Sequence, residues 1–147
     1  MVYLNGRFLP LEQAMVPVLD RGFIFGDGVY ELIPVYSRAP FRLDEHLARL
    51  ERSLAAVQIR NPYPRERWRE IITALVAQHP SEDQGVYLQV TRGVAKRDHA
   101  FPEGVEPTVF AMSNPLVNPP GELVEKGATA VTAADYRWQL ILTINPV

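Results

Sequence analysis

Five apolar residues, Leu43, Leu47, Leu50, Leu54 and Val57, recur at spacings of four, three, four and three, and they restrict this chain more than any other feature. That period gathers all five on one side of an α-helix. A helix divided in this way is stable only when its apolar stripe is covered. Asp44 reads as the N-cap, and with Glu45 it brings negative charge to the first turn. Glu45, Arg49 and Arg52 lie on the opposite side. Pro62 and Pro64 end this unit, and Pro64 suits the start of a second helix, where its fixed φ and missing N–H cost nothing. Trp68, Ile71, Ile72, Leu75 and Val76 form the stripe of that helix, and His79-Pro80 stops it.

Strand patterns surround the helices. Val2–Leu4 and Arg7–Leu9 flank Asn5-Gly6, a strong hairpin signal. Val29–Tyr36 is rich in β-branched and aromatic residues, and Ser37-Arg38-Ala39-Pro40 reads as a turn after it. In Gly85–Arg92, Val86, Leu88 and Val90 alternate with Tyr87, Gln89 and Thr91, as in a half-buried strand. Thr108–Met112 is a further short strand. Prolines then cluster, and Asn114–Gly121, with Pro119-Pro120, reads as a linker before a new strand at Thr129–Tyr136. The order predicts an α+β domain over residues 1–113, a linker over 114–121, and the first piece of a larger domain over 122–147.

Composition removes several function classes. Apolar residues are 47% and charged residues 22% of 147, an ordinary globular balance. A net charge of −2 supplies no basic face for nucleic acid. Without cysteine there is no disulfide, thiol nucleophile or Cys-based zinc site, and no metal ligand set is assigned. No stretch has the layout of a signal peptide or the length of a membrane span, so a cytoplasmic location without a membrane partner is expected.

The densest motif is Asp20-Arg21-Gly22-Phe23-Ile24-Phe25-Gly26-Asp27-Gly28-Val29-Tyr30-Glu31. On spacing alone it is a well-made turn leading into a strand; it lacks the glycine pattern and the following helix of a dinucleotide or phosphate loop. Arg49, taken alone, is a solvated helix arginine. His46 lies one position off that face and reads as structural. Arg97 and His99, two residues apart in an extended stretch, have the spacing to share one carboxylate, but Lys96-Arg97 also reads as a solvated basic run.

The motif resembles the Arg-Gly-x-x-Phe-Gly-Asp-Gly-x-Tyr-Glu signature of class IV aminotransferases of the D-amino acid type. The likeness extends through Glu45-His46-Leu47-Ala48-Arg49-Leu50, Gln89-Val90-Thr91-Arg92-Gly93, Arg97-Asp98-His99-Ala100-Phe101-Pro102 and Asp135-Tyr136-Arg137-Trp138, in that order. The resemblance implies the N-terminal small domain of a fold-type IV enzyme using pyridoxal 5′-phosphate (PLP). It implies that Arg49 grips the cofactor phosphate, and that Tyr30, Arg97 and His99 trap the substrate α-carboxylate. It implies transfer of an amino group between a D-amino acid such as D-alanine and a 2-oxo acid such as 2-oxoglutarate, by a homodimer. Branched-chain aminotransferases and aminodeoxychorismate lyases share the fold and differ in the loop carrying Arg97 and His99.

One element of the family pattern is missing. The family continues after Arg-Trp with a stretch like Arg-Cys-Asp-Ile-Lys, whose lysine forms the Schiff base with the cofactor and moves the Cα proton. Here Gln139-Leu140-Ile141-Leu142-Thr143-Ile144 follows, placing Ile144, or Leu142 after a two-residue deletion, at that position. The only lysines are Lys96 and Lys126. No catalytic residue is therefore assigned, and these 147 residues alone are expected to be inactive. A frame break near Gln139 is one explanation. The other is a genuine short product with an uncovered Leu140–Ile144 strand, acting as a dead dimer-interaction fragment.

Overall fold

One antiparallel sheet organises the N-terminal unit, with two helices across one of its faces. The structure is a computed structural model and describes residues 1–117 and 119–134. Met1–Leu116 forms one compact unit, and the residues from Val117 belong to a second. Six strands, β1 (Val2–Leu4), β2 (Arg7–Leu9), β3 (Gly28–Tyr36), β4 (Ala39–Pro40), β5 (Gln84–Thr91) and β6 (Thr108–Pro115), lie in the order β2-β1-β6-β5-β3-β4. A five-residue helix, α1 (Arg21–Phe25), precedes β3, and α2 (Leu43–Ala56) and α3 (Arg65–Gln78) connect β4 to β5. This is the α+β architecture that the patterning predicts.

The strand period decides which residues meet the helices. Ile33 and Val35 of β3, Val86, Leu88 and Val90 of β5, Val109 and Ala111 of β6 and Tyr3 of β1 are buried with Leu47, Leu50 and Leu54 of α2. All five apolar residues of the α3 stripe join that core, with Trp68 at its centre and its indole N–H donating to Asn61 Oδ1 at 3.0 Å. Burial of this kind is worth roughly 1.5–3 kcal/mol for each large side chain. The Tyr3 hydroxyl donates to Tyr63 at 2.9 Å; burial and that bond push the Tyr63 pKa up to about 12.

Four local expectations change. Asp44 does not cap α2: Arg42, at φ 49°, holds the N-cap position without a side-chain bond, while Asp44 pairs across to Arg69 of α3. Ala39 and Pro40 are strand, not turn, because Ser37 and Arg38 both take positive φ and close a two-residue hairpin. Asn114 and Pro115 continue β6 opposite Gly85 and Gln84. In the second unit a short helix, α4 (Gly121–Lys126), follows Pro120, whereas residues 129–134 have no regular structure. The rest of the predicted strand, the Arg137-Trp138 motif and the Leu142 and Ile144 positions lie outside the described residues.

Candidate active site

A carboxylate on the wrong side of a strand organises the first group of functional side chains. Glu31 shares the inward parity of Ile33 and Val35 on β3 and is only 2% exposed. A buried charge must be paired, and two residues of α2 do this. Arg49 donates from Nε to Oε1 at 2.7 Å and from Nη2 to Oε2 at 2.6 Å, a two-point fork. His46 Nδ1 stands 2.9 Å from Oε2. Burial pushes the Glu31 pKa up, but the bonds from Arg49 and His46 outweigh it and hold the carboxyl below its ordinary value. Arg49 itself is half exposed, its pKa raised by Glu31, and its Nη1 makes no hydrogen bond among the described residues. It borders a recess of about 260 Å³ with Arg42, Glu45, His46 and Arg52, three arginines to one carboxylate.

The second group sits on a loop. Arg97 and His99 are exposed, and neither takes part in an ion pair among the described residues. Both flank the Phe25 ring of α1, with the Arg97 guanidinium carbon 5.4 Å and the His99 ring 5.6 Å from its centre. Beneath them lies a buried ionic cluster. Asp27 accepts from Arg21 Nε at 2.7 Å, and from Arg92 Nε at 2.7 Å and Nη2 at 3.0 Å. Burial raises the Asp27 pKa and the two arginines lower it by more, so the net shift is downward. Arg92 also donates to the carbonyls of Val57 and Gln58, just after α2, and lies under Phe101. Arg21 reaches the other way, from Nη1 to the Asp98 carbonyl at 2.7 Å and to that of Ala100 at 3.4 Å. Gly93 makes the close approach possible: its φ is +100°, and a Cβ there would stand 2.0 Å from the Glu106 carbonyl oxygen.

Tyr30 has the opposite parity to Glu31 and lies on the sheet face away from the helices, stacked on Tyr87 with ring centres 6.1 Å apart. Arg97 and His99 are thus brought together, while Tyr30 has no bond or ring contact to either among the described residues. Reasoning from sequence did not assign Glu31, Asp27, Arg21, Arg92 or Phe25. The available signal was parity: a carboxylate at an inward strand position and charges inside an apolar turn all need partners.

The Amino-transferase class IV family model matches residues 28–145, four-fifths of the chain. The chain belongs to that family. It is 41% identical over 137 residues to the D-alanine aminotransferase of Bacillus licheniformis, covering 93% of this chain and 48% of that protein. The chain therefore spans about half the length of the curated relatives it matches. Among solved structures it is similar to 4-amino-4-deoxychorismate lyase from Pseudomonas aeruginosa, with TM-score 0.71 and 30% identity over 86% of this chain and 44% of that one. A branched-chain amino acid aminotransferase from T.th., complexed with N-(5′-phosphopyridoxyl)-L-glutamate, shares the fold at TM-score 0.73 and 24% identity, over 78% and 40% of the two chains.

As a class IV aminotransferase chain, it presents two groups of nitrogen donors on different supports. Arg49 offers a free donor on a fork held by Glu31, in a recess of net positive charge; this donor set suits a phosphate dianion. Arg97 and His99 offer two polar heads on one aromatic platform, which suits a carboxylate. Among the described residues no helix is long and apolar enough to cross a membrane.

Proposed function

We propose that this chain supplies the N-terminal half of a PLP-dependent D-amino acid aminotransferase, exchanging the amino group of D-alanine with the oxo group of 2-oxoglutarate to give pyruvate and D-glutamate. The observation that carries the reading is the Arg49 fork. A buried carboxylate fixes an arginine from regular secondary structure, yet leaves one of its donors uncommitted. In this reading Arg49 holds the cofactor phosphate, and Glu31 and His46 fix its orientation. Tyr30, Arg97 and His99 bind the substrate α-carboxylate. The separation of Tyr30 from the loop in one chain is consistent with a homodimer, each subunit completing the other's site. The apolar side chains of Phe23, Leu32 and Tyr36, exposed on the described unit, also favour a partner there. The segment after Pro119-Pro120 begins the cofactor domain, and the assembly is cytoplasmic.

PLP, when bound, supplies the electron sink that lets an amino acid release its Cα proton. The residues described here bind and orient; none of them moves that proton. Neither Lys96 nor Lys126 stands at the family's lysine position.

Joining this chain to the C-terminal half of the Bacillus licheniformis relative, the part this chain does not cover, tests the reading. D-glutamate should form from D-alanine and 2-oxoglutarate, whereas these 147 residues alone should form none. Preference for L-valine, or release of pyruvate from aminodeoxychorismate, would overturn the substrate assignment.

A further inference from the structure

Beyond the bridge that ties Val94 and Ala95 to Leu19–Arg21, the loop bearing Arg97 and His99 makes no strand pairing among the described residues, so something else must set where those heads stand. We propose that α1 is the positioning element for this loop: Arg21 acts through the main chain and Phe25 through its ring. The inference rests on the reading of Arg97 and His99 as carboxylate ligands.

Arg21 is 4% exposed, and Asp27 fixes its guanidinium from one side. Its Nη1 then bonds the carbonyls of Asp98 and Ala100, the two residues that bracket His99. A main-chain clamp on both neighbours fixes the direction in which the His99 side chain leaves the loop. Phe25 stands one helical turn after Arg21 and is in contact with it, the guanidinium carbon lying 4.7 Å from the ring centre. The same ring meets Arg97 and His99. Attraction between a cation and the ring face restrains Arg97 without using its N–H donors, which stay available to a carboxylate. The loop's own carboxylate is diverted, because Asp98 Oδ1 accepts from the Ala100 N–H at 3.1 Å. Gly26, at φ 65°, ends α1 directly after Phe25, and its N–H returns to the Gly22 carbonyl, so the ring sits on a closed turn.

Two variants test this, Arg21→Gln, which removes the clamp, and Phe25→Leu, which fills similar space without a π face. Hydrogen exchange at Ala95 and Ala100, the loop amides with acceptors among the described residues, should rise about tenfold in each, with β3 and β5 unchanged. If Arg21→Gln fails to fold, Phe25→Leu decides. Unchanged loop exchange in Phe25→Leu overturns the proposal. In the PLP-loaded protein made by joining this chain to the C-terminal half of the Bacillus licheniformis relative, KM for D-alanine should rise about tenfold in Phe25→Leu with kcat nearly constant, since small misplacements of binding groups are costly. KM for an amine lacking a carboxylate, such as 1-phenylethylamine, should not move. A KM rise in Arg97→Ala that Phe25→Leu does not reproduce overturns the positioning role alone. Unchanged KM in both, with raised loop exchange, overturns the carboxylate assignment beneath it.

Discussion

Arg49, the proposed phosphate ligand, and Arg97 with His99, the proposed carboxylate ligands, are held by opposite means. Arg49 stands on a helix of about four turns whose other side is buried, and one carboxylate on the adjacent strand completes its support. Arg97 and His99 stand on a loop, which is held from below by an aspartate, two buried arginines and an aromatic ring. The first support is inexpensive because the scaffold already exists. The second must build its own interior. A site on regular structure therefore needs one buried charge, whereas a site on a loop needs a small ionic core, and the two should differ sharply in how much stability rests on them.

Asp27→Asn is the strongest challenge to that contrast. It leaves Arg21 and Arg92, both nearly inaccessible, without a counter-charge. Breaking a buried pair from one side typically costs about 3–5 kcal/mol, and here the carbonyl bonds of both arginines keep the expected loss near the lower end. Urea unfolding of the full chain measures it. A loss below about 1 kcal/mol would mean that the loop is not supported from this cluster.

Glu31→Gln should cost less, about 1–2 kcal/mol, because Arg49 is half exposed and can return to water. The pH dependence sharpens the comparison. Asp27 and Glu31 both have folded-state pKa values below their ordinary ones. Each therefore contributes stability that is fully present above the unfolded-state pKa, roughly 4, and that is lost as pH falls through the lower folded value. Thermal unfolding followed from pH 6 to pH 2 should show a steep loss below about pH 4 in the parent chain. Glu31→Gln and Asp27→Asn should each flatten that slope, and an unchanged slope in both would contradict the pairing.

The same contrast explains what could be read from sequence. The sheet, both long helices and their buried stripes follow from periods of 2.0 and 3.6 residues, except that Val57 lies just past the end of α2 and is exposed; the period places Arg49 on the outer side of α2, and only the family resemblance gives it an anion to hold. The loop site does not, because its support is made by contacts between residues up to 79 positions apart, and no local period records them. Arg92 reads from sequence as the end of a strand, yet it serves the carbonyls after α2, the Asp27 carboxylate and the Phe101 ring at once. Asp44 failed as a cap for a related reason: the partner that wins its carboxylate, Arg69, belongs to another helix. Glu31 was within reach, since its inward parity on β3 could be counted from the strand alone. Missing it came from reading the signature for glycines and turns instead of for the face each charge must occupy.

The smallest effect on stability should come from the residues closest to the proposed substrate. Arg97 and His99 are exposed, lack ion-pair partners among the described residues and touch Phe25 only at van der Waals or cation–π range. Arg97→Ala should therefore change unfolding free energy by no more than about 0.5 kcal/mol, the usual range for surface sites, while removing one of the three side chains of the proposed carboxylate site. Differential scanning calorimetry alongside substrate binding separates the two consequences. A donor that carries the binding chemistry cannot also be committed to the fold, because one already satisfied by protein has nothing left to offer a ligand. If Arg97→Ala instead destabilised the chain as much as Glu31→Gln, the arginine would be part of the loop's support, and the free anion-binding head would have to be sought elsewhere in the loop.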